Sequence, residues 1–536
     1  MRRRHLLWMA SWIVLGLNAC TAFHPPVPTH PDTAKACANW RWIGISRAGA
    51  RCPEVPGWTV RPLFPQLAPV ACSSEQELPR PGVNEVIQEL SRFCTYEIAS
   101  PLKSLKQVPF PPAVSKDLVR FDQDCAALSV SATIKPAGKD WQSQLKKLLA
   151  QAGKPEEPLK INNRLGVRLA FLDTQPTGKG YPQDYWRSPH GYTLAQIARQ
   201  LVCIQGSDEH CAAQITTRLA MPIIDFDPMK SKHNRIDKKW GGYLGMQSDL
   251  AEAIQSEVDD WWSSKQQQHL VLNLSMAWDG DLFGGLDQQE IGEMRAGTQA
   301  VYRALQYAAG FDVLVLAAAG NQKHAPCENT GPLLPGGWEK GEPPQSCGKP
   351  LMLEPVVYAV GGVRSDGKRL LNARTGGMPL RAAYGENAVV PTSDPKKLPV
   401  LLTGSSVATA VVSSIAAIVW DTRPDLDSRG VMDILYESGN DLGFKADFWT
   451  GGSAPPQSPF DQVHRVSLCA ALKKACDRNP DRSASCPVQD CPTWQPEFLS
   501  NVSEKPKLGT CQPWLYPQPE DDPHPVLKPP GSTGSS

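Results

Sequence analysis

The chain has 536 residues, enough for one large domain with flanking modules, and its 55 lysines and arginines balance 54 aspartates and glutamates to a net charge of +1. That balance argues against nucleic acid or a strongly acidic surface as the main partner. The 50 prolines fall mostly outside the middle of the chain, which predicts irregular flanks around a regular centre.

The N-terminus reads as an address. Arg2, Arg3 and Arg4 precede an apolar run from Leu6 to Leu17, too short to span a bilayer, and Asn18-Ala19-Cys20 follows as the small-residue end of an export signal. Leu17-Asn18-Ala19-Cys20 also resembles a bacterial lipobox. That makes residues 1–20 a signal peptide and Cys20 a lipidated, membrane-anchoring mature N-terminus, with simple secretion as the alternative. Thr21 rather than aspartate follows, as in outer-membrane sorting.

Setting Cys20 aside from 15 cysteines leaves an even number, as a disulfide framework in an oxidising compartment requires. Spacing pairs Cys203 with Cys211 and Cys327 with Cys347. Five cysteines then remain on each flank, so complete pairing needs at least one bridge between the flanks. Cys486 and Cys491 lack the histidine pair of a zinc site.

Residues 21–160 form a Pro- and Cys-rich N-terminal region, propeptide-like in position. It reads as irregular to about residue 110 apart from a helix over Val83–Phe93, followed by a strand over Leu128–Ile134 and an amphipathic helix over Trp141–Ala152. At Gly166 the pattern changes. Val167–Leu172 is a compact apolar strand ending on Asp173-Thr174, and His190-Gly191 opens a helix that runs to Val202. A strand over Ala213–Ile224, a charged surface insertion over Lys230–Lys239 and a helix over Ser248–Trp262 come next. Then follow a strand over His269–Met276, a helix over Met294–Ala308, a strand over Val313–Ala319 that ends on Gly320-Asn321, and a strand over Val356–Val363. Such alternation predicts an α/β fold with a doubly wound, mostly parallel sheet over 161–475. A Cys-rich extension over 476–512 and a Pro- and Ser-rich disordered tail over 513–536 complete the chain.

No charged residue occurs from Leu398 to Trp420. The small-residue turn Gly404-Ser405-Ser406 leads there into an apolar helix, either a buried core helix or a membrane span. A serine at a helix start sits beside orphan backbone N–H groups that stabilise an anion, which makes Ser406 a candidate nucleophile as well as a candidate cap. Asp173 stands at the carboxyl end of a strand, where functional groups of parallel sheets gather, or is a turn residue; His190 opens a helix, as a cap would.

Together these residues resemble the subtilisin-like serine peptidases. The order Asp, His, Ser is the one that family uses. Val167–Thr174 is similar to its strand ending in Asp-Thr, His190-Gly191 to its His-Gly helix start, Ala318-Ala319-Gly320-Asn321 to its Ala-Ala-Gly-Asn motif, and Gly404-Ser405-Ser406-Val407-Ala408 to its Gly-Thr-Ser-x-Ala. Val466–Ala471 resembles its closing segment.

The resemblance implies an exported, monomeric serine endopeptidase. Ser406 would be the nucleophile, His190 the base, Asp173 its orienter and Asn321 the oxyanion donor. Leu274, Ser275, Met276, Ala319 and Gly320 would line the substrate, a peptide or protein. No cofactor and no metal is implied, and no acidic cluster marks the calcium sites many relatives carry. Gln175, Tyr192, Gln196 and Ala410 depart from the family pattern. A catalytically degenerate lipoprotein that binds peptides is the alternative.

Overall fold

In a computed structural model the described residues are 37–65, 83–98, 117–129, 133–137, 140–155, 166–174, 188, 190–203, 210–225, 235–237, 241–242, 244–264, 267–280, 294–322, 331–339, 355–390, 399–447, 462–478, 486–488, 491, 494 and 496–497. The signal peptide with Cys20, the Cys327 and Cys347 pair and the 513–536 tail lie outside them.

The N-terminal flank is not irregular. It forms β1 (Cys37–Ser46), β2 (Trp58–Pro62), α1 (Val83–Leu90), β3 (Phe93–Ile98), β4 (Leu118–Ser129) and β5 (Thr133–Pro136). Prolines and cysteines hide the pattern, yet Arg41–Ile45 is aromatic and β-branched as strands are. Gly44 lets β1 and β3 close up, since a Cβ there would lie 2.7 Å from the Tyr96 ring. Disulfide Cys37–Cys125 staples β1 to β4, and Cys52–Cys94 ties the loop after β1 to β3. The single strand expected over Leu128–Ile134 is instead two, in two different sheets.

The centre of the chain follows the expected alternation: α2 (Trp141–Gln151), β6 (Val167–Asp173), α3 (His190–Val202), β7 (Ala213–Leu219), β8 (Ile223–Asp225), β9 (Arg235–Ile236), β10 (Leu244–Met246), α4 (Gln247–Ser264), β11 (His269–Leu274), β12 (Met276–Ala277), α5 (Ala296–Gly310), β13 (Leu314–Ala318) and β14 (Tyr358–Val363). Then come β15 (Arg381–Tyr384), β16 (Ala388–Val390), β17 (Val400–Thr403), α6 (Ser405–Thr422), α7 (Ser428–Glu437), β18 (Asn440–Lys445), β19 (Gln462–Arg465) and α8 (Leu468–Asp477). The run expected as one strand over Ala213–Ile224 breaks at Ala220-Met221-Pro222, after which β8 leaves for another sheet.

The main sheet runs β18-β19-β15-β14-β13-β11-β6-β7, parallel throughout except where β18 meets β19. Helices cover both faces, as a sheet of apolar strands demands. Ala170, Leu172, Leu270 and Leu272 point into the core beneath α4 and α5, while Leu169, Phe171 and Val271 point to the side of α3 and α6, the period-two alternation of a strand. This is the doubly wound architecture.

Helix α6 is the one described helix long and apolar enough to cross a membrane, and it is buried in the middle of the fold instead. It packs on β6, β11, β13, β14 and β15 and against α3, so its all-round hydrophobicity is satisfied by protein. Its last apolar residue, Trp420, is fully buried, stacks on His269 at 4.3 Å and donates Nε1–H to the Leu426 carbonyl at 2.8 Å.

The second sheet runs β2-β3-β1-β4-β10-β8-β9, with β12 also on β4. Residues 37–129 are thus woven into the central body. Two carboxylates of β4 reach the starts of the two helices on that face. Asp122 Oδ2 accepts from Ala296 N at 2.9 Å in α5, and Asp124 Oδ1 accepts from Ser248 N at 3.3 Å in α4. Both helix starts carry N–H groups with no partner in the helix, and each aspartate supplies an acceptor for one of them.

Trp420→Ala should cost about 3–5 kcal/mol through lost burial and the cavity left behind. Denaturant unfolding of the variant beside the parent measures it, and a loss below about 1 kcal/mol would show that α6 is not the core.

Candidate active site

Asp173 ends β6 and is buried. Its backbone carbonyl accepts from Ala220 N at 2.8 Å, and its Oδ1 accepts from Thr174 N at 2.7 Å, so the carboxylate is fixed before any partner arrives. Both carboxylate oxygens lie 3.0 Å from His190 Nδ1. His190 opens α3, where its N–H donates to Ser188 Oγ at 3.3 Å. Thr174 closes the arrangement: its Oγ1 donates to the Ser188 carbonyl at 3.1 Å and accepts from Gly191 N at 3.0 Å.

Gly191 makes this approach possible. A Cβ there would lie 2.8 Å from Asp173 Cβ, closer than side chains pack. The carboxylate holds the Nδ1 proton, so a neutral imidazole keeps its lone pair on Nε2. That nitrogen is buried and finds no hydrogen-bond partner.

The second half of the site lies on the same edge of the sheet. Asn321 follows β13 by three residues, and its Oδ1 accepts from Ser405 N at 2.9 Å at the start of α6. With the amide oxygen held this way, the Nδ2 donor is turned to the other side. Gly320 N donates to Ser405 Oγ at 3.2 Å, which ties the β13 turn to the helix start a second time. Ser406, the next residue of α6, is buried.

Strands β6 and β13 both border β11, so their ends stand roughly 10 Å apart across two strand spacings. His190 opens α3 against the end of β6, and the start of α6 is tied to Asn321 and Gly320 beyond the end of β13. The fold therefore brings Asp173, His190, Asn321 and Ser406 to one carboxyl edge.

The five expected substrate contacts divide. Leu274 pairs with Leu172 on one side and Ala317 on the other, so its backbone is spent within the parallel sheet and cannot receive a peptide, contrary to expectation. Ser275 marks the departure from that sheet and donates its hydroxyl to Asn273 Oδ1 at 2.9 Å. An edge begins only at Met276, in β12, and β4 already occupies it: Met276 lies opposite Ser129 and Ala277 opposite Leu128. On its other side β4 pairs with β10, Leu128 opposite Leu244. Ala319 is buried and donates its N–H to the Val360 carbonyl at 3.0 Å.

Gly320 has φ +111°, and a Cβ on it would lie 2.7 Å from Leu333 and 3.0 Å from Arg374 Cδ. The Arg374 guanidinium reaches Asp279 Oδ2 at 3.5 Å, both side chains buried, and donates to the Gly331 carbonyl at 2.8 Å. The sequence reading missed Leu333, Arg374 and Asp279. They come from three separate loops, with no periodicity to connect them.

Among the described residues no group of three His, Cys, Asp or Glu side chains could hold a metal ion. Cys486 and Cys491 are bridged to Cys476 and Cys469 respectively, and Cys203 to Cys211.

Residues 228–450 match the family model of the subtilase family. The matched stretch contains Asn321 and Ser406 and begins after Asp173 and His190. Over that stretch the chain is similar to the subtilases, a family of serine peptidases. Similar solved structures include the prenylagaramide maturation protease PagA, at 17% identity over 62% of this chain and 98% of that one with a TM-score of 0.36. Sphericase is 15% identical over 60% and 97% with a TM-score of 0.38. The MycP3 protease from the type VII (ESX-3) secretion system is 20% identical over 65% and 92% with a TM-score of 0.35. Curated proteins yield no match.

Gly191→Ala should push α3 away from Asp173, lowering peptide turnover and costing about 1–3 kcal/mol of stability. A peptidase assay paired with thermal unfolding reads both, and unchanged turnover would mean that the close approach is dispensable.

Proposed function

We propose that the chain is an exported serine endopeptidase that works through Asp173, His190 and Ser406 and an acyl-enzyme. The observation that carries this is the buried Asp173–His190 pair with its imidazole Nε2 left unpartnered, at the same carboxyl edge of the sheet as the start of α6.

An alcohol is a weak nucleophile at neutral pH, so Ser406 needs a base. His190 Nε2 takes the hydroxyl proton as Oγ attacks the peptide carbonyl, and returns it to the leaving amine as the C–N bond breaks. Asp173 keeps the ring in the useful tautomer and stabilises its charged form. Charge gathering on the former carbonyl oxygen meets Asn321 Nδ2 and the Ser406 N–H, and a water then cleaves the acyl ester by the same steps in reverse.

Substrate would bind as an extended strand on the β12 edge, between it and β10, where β4 now lies. We read residues 37–129 accordingly as a covering unit that fills this groove with its own strand. Downstream of the groove, β5 pairs with β17 just before the Ser406 turn, Thr133 opposite Thr403. The chain thus stands on both sides of the reacting groups, and maturation by a cut between Ser129 and Thr133 would convert it from substrate to product.

Five described disulfides fit an oxidising compartment, consistent with export. Lipidation at Cys20 would anchor the N-terminal end. The described bridges of each flank stay within that flank, so parity places the flank-to-flank tie on Cys72 and Cys511, outside the described residues, once Cys327 pairs with Cys347.

A fluorophosphonate probe should label the parent and not Ser406→Ala, which should lose on the order of 10⁶ in kcat. Asn321→Ala should lose about 10²–10³. No labelling of folded protein whose β4 strand has been displaced or cut would leave a peptide-binding module without catalysis. N-terminal sequencing of the active species should find a start between Val130 and Thr133, and peptide mapping without reductant should recover Cys72 joined to Cys511; an intact N-terminal region in fully active enzyme would remove the covering role.

A further inference from the structure

One cluster in the contact between the described residues of 37–129 and the rest of the fold sets a single positive charge among three negative ones. Arg41 of β1 is buried; its Nη1 lies 2.8 Å from Asp249 Oδ1 of α4, its Nε 3.1 Å from Glu97 Oε1 of β3, and its Nη1 3.9 Å from Asp124 Oδ2 of β4. Glu97 is partly exposed, so water carries part of its charge. Asp124 is wholly buried, and Asp249 nearly so; Asp249 is also held by Met246 N at 2.9 Å.

Asp124 is therefore the acid with the weakest claim on the guanidinium. Its other neighbours are the Ser248 hydroxyl and N–H from α4 and the first turn of α5, where a Cβ on Gly297 would lie 3.2 Å from Oδ1. The remaining charges near β4 are engaged elsewhere. Arg120 is bound to Asp122 at 2.7 Å, and Arg295 faces the sulfurs of Cys37 and Cys125. Burying the Asp124 carboxyl, the one farthest from the guanidinium and beside a second acid, favours its protonated form.

We propose that the seating of β4 on the peptidase body is proton-linked through Asp124, so that the covering unit closes the groove more firmly in acid and yields as the pH rises to neutrality. Burial, with Asp249 alongside, raises the Asp124 carboxyl to about 7, although Arg41 and Ser248 pull it the other way. A carboxyl raised in the seated state favours seating most strongly below its free value of about 4, and that contribution is lost as the pH rises through the seated value. The proposal takes its functional meaning from the groove reading above, but its test needs no catalysis.

The test is hydrogen exchange of the Ala126–Leu128 amides in full-length Ser406→Ala protein between pH 5 and 9, corrected for intrinsic exchange. The opening constant should rise about tenfold per pH unit up to a break near 7, then level off. Asp124→Asn should flatten the profile. Asp249→Asn should move the break to lower pH, since Arg41 then serves Asp124 alone. A parent profile without the rise, or the same rise in Asp124→Asn, overturns the proposal. If Asp124→Asn does not fold, an unmoved break in Asp249→Asn overturns it equally. Failure of fluorophosphonate labelling would sink the peptidase reading and leave this result standing.

Discussion

The structure turns on how near an imidazole can come to a carboxylate that is already fixed. Asp173 is committed before His190 reaches it, by Thr174 N and by the strand that ends there. Gly191 lets the helix start come up against it with no side chain in the way. The rest of the site lies along the same edge: the ring opens α3 against the end of β6, Asn321 follows β13, and α6 begins bonded to Asn321. A parallel sheet is well suited to this, because neighbouring strands deliver loops to one edge at fixed spacing.

The proposed reacting groups stand out in the sequence because each falls at a boundary between elements, and boundaries leave short signatures. Asp173-Thr174 after an apolar strand, His190-Gly191 before a periodic helix and Gly404-Ser405-Ser406 before an apolar one are all visible in a single chain. The main sheet was legible for the same reason: buried parallel strands read as unbroken apolar runs. What stayed hidden depends on distant pairing. Leu274 looks like an accessible edge until both its neighbours are known. Leu333, Arg374 and Asp279 converge on Gly320 from loops with no periodicity to connect them.

The N-terminal flank shows why composition can mislead. Proline and cysteine mark irregular backbone in small domains, yet here the cysteines staple strands that the body of the protein completes. A strand whose two edges are filled by β1, β10 and β12 has no local pattern that reveals its partners. Its acidic residues are equally opaque in sequence: Asp122 and Asp124 look like solvated charges, and only the fold shows them set against Ala296 N and Ser248 N.

Those two aspartates bear on how the molecule is made. The ribosome releases β4 long before α4 and α5, so a template for two later helices is present when they emerge. A piece cut to begin at residue 161 would carry both helices without the carboxylates that complete them. The limits of the alternating α/β pattern therefore do not mark a unit that can be expected to assemble by itself.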